Sequence, residues 1–247
     1  MIEALIALLF GLLIGSFLNV CIHRWPRNRS VVKPRSHCVR CRKPIAWYDN
    51  IPLVSWLVLR GRCRSCGARI AARYPAVELV TALLVAGSVW KFGLTGSAAV
   101  AAFFCLALVA VSATDLEHRI IPNRIVLPAA AIVLVANTAL HPSPMWALAA
   151  LGAAGFLFAA ALAYPRGMGM GDVKLALLMG AALGKSVSVA MMIGMISALL
   201  PGLYLLARHG SAARKMRIPF GPFLALGSVV ALFAGPWLLH QYWSLFQ

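Results

Sequence analysis

Long apolar stretches separated by short polar segments organise this chain. The stretches 100–113 and 125–140 carry no charged side chain, and burial in a water-soluble core does not account for runs of this kind. The pattern predicts eight membrane-spanning helices, at residues 2–22, 76–92, 95–114, 125–140, 146–164, 174–184, 186–206 and 220–240. The predicted fold class is therefore an all-α polytopic membrane protein with about eight transmembrane helices.

The first stretch needs a separate decision, because amino-terminal apolar segments also serve as signal peptides. It lacks a basic segment before it and a small-residue cleavage site, and it continues directly into Arg24. We therefore expect it to be retained as a membrane helix.

Pairs of glycines at GxxxG spacing occur in two of the predicted spans. Gly11 and Gly15 lie in the first, and Gly180 and Gly184 lie in the short sixth. Such pairs allow two helices to approach closely, but small residues are also simply common in membrane helices. Both interpretations stay open at this point.

Composition agrees with a membrane location, and charge gives an orientation. The chain is 62% hydrophobic with a mean hydropathy of +0.85, against about 45–50% apolar residues in soluble domains. Thirteen Lys and Arg residues lie between His23 and Arg73, and alternation of the spans places twenty-one of the twenty-three on that same side. Because basic residues accumulate in cytoplasmic loops, this side is predicted to be cytoplasmic and the amino terminus periplasmic.

The net charge of +17 does not predict a nucleic-acid partner. Basic residues that flank spans already follow from topology and from anionic lipid headgroups. The predicted organisation is a first helix (1–22), a basic cytoplasmic loop domain (23–75) and a transmembrane core (76–247), with membrane lipid as the general partner.

Four cysteines in the basic loop form two Cys-x-x-Cys pairs, Cys38 with Cys41 and Cys63 with Cys66. This spacing is typical of a tetrahedral four-thiolate zinc site, which is closed and therefore structural. A loop of this size has little core of its own, so the metal would supply folding energy. Two disulfides are the alternative, disfavoured by a cytoplasmic location. His37 is an alternative ligand or an exposed loop residue.

The loop also contains a strip of aromatic and apolar residues, 44–57. Tryptophan and tyrosine anchor proteins at membrane interfaces, so the strip is predicted to lie on the bilayer surface or to cover the zinc site.

Two of only six acidic residues, Asp115 and Asp172, lie at the ends of apolar helices. A carboxylate beside hydrocarbon is costly and is a functional-site hypothesis by default. Two spans separate the pair, so both return to the same membrane face. If they meet, they can share one proton: the ionised group activates water while the protonated group polarises a scissile carbonyl.

Supporting residues cluster around Asp172. Gly169 and Gly171, with Gly167, permit a tight turn and a close approach of substrate backbone, and Lys174 follows on the next helix. The glycine run does not match a phosphate-binding P-loop. Each aspartate could instead cap a helix, pair with Lys174 or Arg119, or relay protons in a transporter.

Several ordered motifs together resemble the prepilin leader peptidases, the GxGD-type membrane aspartic peptidases of type IV pilus and type II secretion systems. The motifs cover nearly the whole chain: Gly15-Ser16-Phe17-Leu18-Asn19-Val20, the two cysteine pairs, Arg73-Tyr74-Pro75-Ala76-Val77-Glu78, Asp115 with Arg119-Ile120-Ile121-Pro122, Gly169-Met170-Gly171-Asp172, and Ile218-Pro219-Phe220-Gly221-Pro222. Asn123 departs from the family, which often has aspartate there.

This resemblance implies a bacterial inner-membrane enzyme that removes the short basic leader of prepilins or pseudopilins after a glycine, on the cytoplasmic side. Asp115 and Asp172 would be its catalytic pair. Members with the long cysteine loop commonly also methylate the new amino terminus with S-adenosylmethionine, an activity for which the residues themselves give no independent sign.

Two further glutamates and two rival functions complete the predictions. Glu78 is expected to be structural, at a helix start or paired with Arg73, and Glu117 is expected to face lipid headgroups with Arg119. An ion-coupled transporter would show inverted repeats and broken helices at the membrane midplane, which the pattern does not show. A scaffold that docks secretion components through its zinc loop would not need the aspartates.

Overall fold

The computed structural model describes residues 2–27, 30–33, 35–164, 169–210 and 218–244. Within these ranges the chain forms nine α-helices, and its only β-pairing is two isolated bridges. The helices are α1 (Ile2–Arg24), α2 (Val54–Val58), α3 (Arg73–Phe92), α4 (Gly96–His118), α5 (Asn123–Leu140), α6 (Met145–Ala163), α7 (Met170–Leu183), α8 (Val187–His209) and α9 (Gly221–Ser244).

Seven helical stretches of the described chain are long and apolar enough to cross a membrane. One of them, Met170–His209, has 40 residues. A straight helix of that length would extend about 60 Å, twice the thickness of the hydrocarbon core. A 3-10 turn at Gly184–Ser186 divides it into α7 and α8.

Contacts with α9 show that α8 runs antiparallel to it. A Cβ on Gly235 would lie 2.7 Å from Ser186 Cβ, whereas one on Gly194 would lie 3.1 Å from Leu224 Cα. The start of α8 therefore lies beside the later part of α9, and α8 then runs back toward the start of α9. The eight long helices thus match the eight predicted spans, and the polytopic all-α fold is confirmed.

The sixth predicted span begins earlier than expected. Hydropathy placed its start at residue 174, but α7 begins at Met170. The Asp172 carboxylate accepts a hydrogen bond from the Gly169 amide, so the polar residues before 174 form the first helical turn.

The chain divides into two compact units, residues 1–110 and 111–247. The division into segments 1–22, 23–75 and 76–247 stays a prediction. In the first unit, α1 packs closely on α3: a Cβ on Gly11 would lie 2.6 Å from Ala82 Cα, and one on Gly15 would lie 2.8 Å from Glu78 Cα. Of the two interpretations that the sequence left open, the close helix contact therefore holds for this glycine pair.

In the second unit, α7 is the central helix. Its Gly180 lies against the backbone of Ala149 and Ala150 in α6, with no room for a side chain. Asn137 of α5 donates a hydrogen bond to the Ala181 carbonyl oxygen over 2.9 Å. Gly184 differs from Gly180: its φ of +54° is a turn conformation that favours glycine. Gly180 therefore forms a helix contact, whereas Gly184 forms part of the turn between α7 and α8.

Large apolar side chains cover the outer faces of these helices. Leu5, Leu9 and Leu13 of α1 are 61%, 56% and 59% exposed, and Leu199 and Leu203 of α8 are exposed to a similar extent. Faces of this kind are stable in lipid, so the chain is a multi-pass membrane protein.

Candidate active site and metal centre

Each Cys-x-x-Cys pair lies on a small turn with the same hydrogen bonds. The Cys38 amide donates to the Lys43 carbonyl, and the Arg42 amide donates back to the Cys38 carbonyl, both over 2.9 Å. In the second turn, the Cys63 amide donates to the Ala68 carbonyl, and the Gly67 amide donates to the Cys63 carbonyl. The two turns, here called the first and second knuckles, are therefore equivalent in backbone structure.

The two knuckles bring all four thiols to one point. The Sγ atoms of Cys38, Cys41, Cys63 and Cys66 all lie within 4.8 Å of one another, and the Cys38 and Cys66 Sγ atoms are 3.8 Å apart. Zinc–sulfur bonds of about 2.3 Å in a tetrahedron require sulfur atoms roughly 3.8 Å apart. Two separate disulfides would instead require sulfur atoms about 2.0 Å apart within each pair. The cluster can hold a metal ion such as zinc.

The surroundings of the thiols favour ionisation at one of them. Hydrogen bonds from the Cys41 and Arg40 amides lower the pKa of Cys38 to about 6. At Cys66 the Ala68 amide lowers the pKa, but burial and the neighbouring thiols outweigh it and raise the pKa to about 11. Thiolates this close repel one another, so the four groups do not all ionise by themselves. A bound cation stabilises all four as thiolates.

Other residues of the loop fasten the knuckles together. Arg64 of the second knuckle makes a bidentate contact with Asp49, whose Oδ1 lies 2.7 Å from Arg64 Nη2, and the Arg64 guanidinium lowers the pKa of that carboxyl. Trp56 packs on Gly61 and donates to the Ile70 carbonyl oxygen over 3.2 Å. His37 is exposed and contacts the Arg35 carbonyl, so it is a loop residue and not part of the thiol cluster.

One residue of the aromatic strip packs beside the second knuckle, while contact of the strip with a bilayer surface stays a prediction. Trp56 covers the second knuckle, whereas Trp47 is 82% exposed. Leu57 and Val58 of α2 are also exposed, as expected for side chains that meet a bilayer surface.

Asp115 lies in the last turn of α4 and is only 6% exposed. Its Oδ2 atom accepts a hydrogen bond from the Gly221 amide over 2.9 Å. Gly221 is the first residue of α9, where the helix has unpaired amides and a partial positive charge. A Cβ on Gly221 would lie 2.9 Å from that same oxygen, so only glycine allows this approach.

Asp172 lies in the first turn of α7. Its Oδ2 atom accepts a hydrogen bond from the Gly169 amide over 3.2 Å, which realises the capping role considered from the sequence. Gly171 allows α7 to approach the segment after α4, because a Cβ there would lie 2.9 Å from Ile121 Cβ. Gly167 lies outside the described residues.

Asp115 and Asp172 lie at helix ends that pack near each other. Gly171, next to Asp172, contacts Ile121, which follows Asp115 by six positions, and the two carboxyl groups interact electrostatically. Each carboxylate accepts a hydrogen bond from an amide at a helix start. Two interacting acids can share one proton.

Lys174 does not pair with either aspartate. Its Nζ donates to Asn123 Oδ1 over 2.8 Å, which joins the start of α5 to the first turns of α7. Asn123 thus accepts a hydrogen bond from the Lys174 ammonium at a position where an aspartate would form an ion pair.

The remaining glutamates differ in their surroundings. Glu78 is 9% exposed, and its Oε2 accepts a hydrogen bond from the Leu53 amide over 2.8 Å. Glu117 is exposed and lies 3.7 Å from the His118 ring nitrogen. Its predicted contact with headgroups stays a prediction.

The sequence pattern did not predict the Gly221 amide as a partner of Asp115. The sequence does contain an indication of this contact. The Ile218–Pro222 motif precedes the last predicted span and places Gly221 at the start of that span. Only the packed helices show that this start lies against an aspartate 106 positions away.

The two acids at helix ends and the loop with four thiols indicate a helical membrane protein of the aspartic-peptidase type. Comparison with known families identifies the family. Residues 9–92 match the bacterial peptidase A24 N-terminal domain, and residues 102–206 match the type IV leader peptidase family. The chain belongs to the type IV leader peptidase family.

Curated relatives match this chain, two of them over nearly the full length. The prepilin leader peptidase/N-methyltransferase of Bacillus subtilis is 38% identical over 96% of each chain. The protein of that name from Pseudomonas aeruginosa is 34% identical over 96% of this chain and 92% of its own. The one from Myxococcus xanthus is 41% identical over 73% of this chain and 45% of its own. No solved structure matches this chain significantly.

Proposed function

We propose that this chain is an aspartic peptidase of the bacterial inner membrane that cleaves the leader from prepilins or pseudopilins and methylates the new amino terminus. The observation that carries the proposal is the pair of Asp115 and Asp172, each held by one helix-start amide and close enough to interact. The names of the relatives supply the reaction class.

The proposed cleavage divides two roles between the acids. The ionised carboxyl takes a proton from a water molecule, which attacks the scissile carbonyl carbon. The protonated carboxyl donates a hydrogen bond to the carbonyl oxygen and stabilises the developing negative charge. On collapse of the tetrahedral intermediate, the leaving nitrogen receives a proton from the pair. The partial positive charges at the starts of α7 and α9 stabilise the ionised form.

The proposed orientation places this chemistry at the cytoplasmic face with the amino terminus in the periplasm. It rests on the distribution of basic residues, which predicts the acids on the same side as the cysteine loop. A basic leader at that face would precede an apolar helix that lies in lipid beside the protein.

The position of the acids favours a peptidase over an ion-coupled transporter. Asp115 is three residues from the end of α4, and Asp172 is the third residue of α7. A transporter would instead need acids near the midplane, at breaks in the helices.

The test is incubation of the purified full-length protein in lipid nanodiscs with a prepilin, followed by intact-mass analysis. We expect a mass loss equal to the leader, and a further gain of one methyl group only when S-adenosylmethionine is present. An intact prepilin after prolonged incubation with folded protein would overturn the peptidase assignment. Cleavage without any methyl gain would overturn the methylation alone.

A further inference from the structure

A cavity of 630 Å³ lies within the first unit, between the cysteine loop and the ends of α1 and α3. Small-molecule sites typically measure about 300–1,000 Å³. Its lining includes Val20 of α1 and several apolar residues of the loop, together with Trp56 and Tyr74. The cavity is therefore large enough for a cofactor of nucleoside size, and its aromatic rings suit a planar base.

Two buried hydrogen-bond acceptors line this cavity. Asn19 is 4% exposed and donates through Nδ2 to the Tyr74 carbonyl over 3.0 Å. Its Oδ1 atom has no hydrogen-bond partner among the described residues. A buried polar atom without a partner is costly, so a ligand that donates a hydrogen bond there would be stabilised.

Glu78 is the second acceptor. Among the described residues of the lining it is the one buried carboxylate, and it lies one helical turn from Tyr74 at the start of α3. The other carboxylate of the lining, Asp49, is already paired with Arg64. Glu78 is thus the charge available to a cationic group inside the cavity.

Exposed cationic side chains on the loop side of the cavity could bind an anionic group of a ligand. Arg40, Lys43 and Arg69 line the cavity from the knuckles. A ligand that fits both sets of groups carries a positive centre beside the acceptors and a carboxylate beside these cations. S-adenosylmethionine combines a sulfonium, an amino group, a carboxylate and an adenine, and it supplies an electrophilic methyl group when bound.

We infer that this cavity is the S-adenosylmethionine site, with Asn19 and Glu78 holding the cationic part of the cofactor and the aromatic residues holding the adenine. The inference deepens the proposed function, because it locates the cofactor of the proposed methylation. It also assigns a structural role to the cysteine cluster, because the knuckles that would bind the metal form one wall of the cofactor site.

The test measures binding directly. Full-length zinc-loaded protein in nanodiscs is titrated with tritiated S-adenosylmethionine at equilibrium. We expect Glu78→Gln to raise the Kd at least tenfold, because it removes the charge but keeps the size of the side chain. Asn19→Leu should raise the Kd less, since it removes one neutral acceptor. Glu117→Gln, a matched change at a span end in the second unit, should bind within twofold of the wild type.

A substitution on the exposed side of the cavity tests the site without the risk that a buried change unfolds the protein. Ala71 is exposed and lines the cavity, so Ala71→Phe fills space without disturbing buried contacts. We expect tenfold weaker binding with unchanged zinc content. Photo-crosslinking of the bound cofactor should label peptides within residues 16–78.

The outcomes separate this inference from the proposed function. Unchanged binding by both Glu78→Gln and Ala71→Phe, or crosslinks confined to the second unit, would overturn the site. Cleavage and methylation by the wild type in the same preparations would then still support the proposed function. Wild-type protein that cleaves but neither binds the cofactor nor methylates would overturn the site and the methylation together.

Discussion

The cysteine cluster and the aspartate pair are built in opposite ways. Each knuckle closes through hydrogen bonds between residues four and five positions apart, and the two knuckles differ only in side chains. The aspartate pair depends on distant segments, because Asp115 is held by Gly221 and Asp172 lies on a helix packed against α5 and α6. Local backbone pattern therefore forms each half of the thiol cluster, whereas helix packing determines what surrounds the two acids.

The largest effect is expected at the aspartates. Asp115→Asn and Asp172→Asn each keep the size of the side chain but remove the acid, so neither can share a proton with its partner. We expect leader cleavage to fall on the order of 10²–10⁴-fold in each variant, the range of general acid–base contributions. The measurement is the initial cleavage rate of purified protein, with Glu117→Gln as the matched control. Near-normal rates in either aspartate variant would contradict the dyad.

The next effect is expected at the cysteines. Cys38→Ala should reduce zinc from about one ion per chain to a small fraction of that, because three thiolates do not complete a closed tetrahedral site. The loop should then become sensitive to proteases, since metal binding supplies its folding energy. Zinc analysis and limited proteolysis check this. Cys105→Ala changes a thiol outside the cluster and should retain the ion; equal zinc in both variants would exclude the proposed ligands.

Acidification should release the metal in a defined direction. Zinc binds thiolates, so it must displace every proton that the thiols hold. Cys38, with its pKa lowered to about 6, holds little proton at neutral pH, whereas Cys66, with its pKa raised to about 11, holds nearly one. Affinity should therefore fall by about tenfold per pH unit for each proton displaced, with a steeper fall below pH 6. Competition with a chromophoric chelator from pH 5.5 to 8 measures this slope, and a flat profile would contradict thiolate ligation.

The smallest effect is expected from the difference between the knuckles. The equivalent fourth positions after Cys38 and Cys63 are Arg42, with φ of +58°, and Gly67, with φ of +66°. Left-handed backbone costs a residue with a Cβ about 1–2 kcal/mol. Gly67→Ala should therefore destabilise the zinc-loaded loop by about 1 kcal/mol. No described atom lies within 4 Å of the added Cβ, so no new contact changes this value.

Arg42→Gly is the reverse substitution and should stabilise the loop by a few tenths of a kcal/mol to about 1 kcal/mol, less any contact of the arginine side chain. Thermal unfolding of the two variants at saturating zinc measures the difference. Shifts of the same sign would mean that backbone conformation does not control this pair.

The amino-acid sequence by itself determined the membrane helices and identified the four thiols of the cluster. Apolar runs of span length have few stable alternatives to a helix in lipid. Each Cys-x-x-Cys pair forms its own turn through local hydrogen bonds, and the two turns supply the four thiols. Asp115 and Asp172 were also identifiable, since acids beside hydrocarbon are rare in this chain. Tertiary structure alone decided what each acid contacts: the Gly221 amide on Asp115, Ile121 against Gly171, and Lys174 on Asn123. These contacts depend on the rotation and depth of packed helices, which hydropathy does not encode because a lipid-facing side and a helix-facing side are equally apolar.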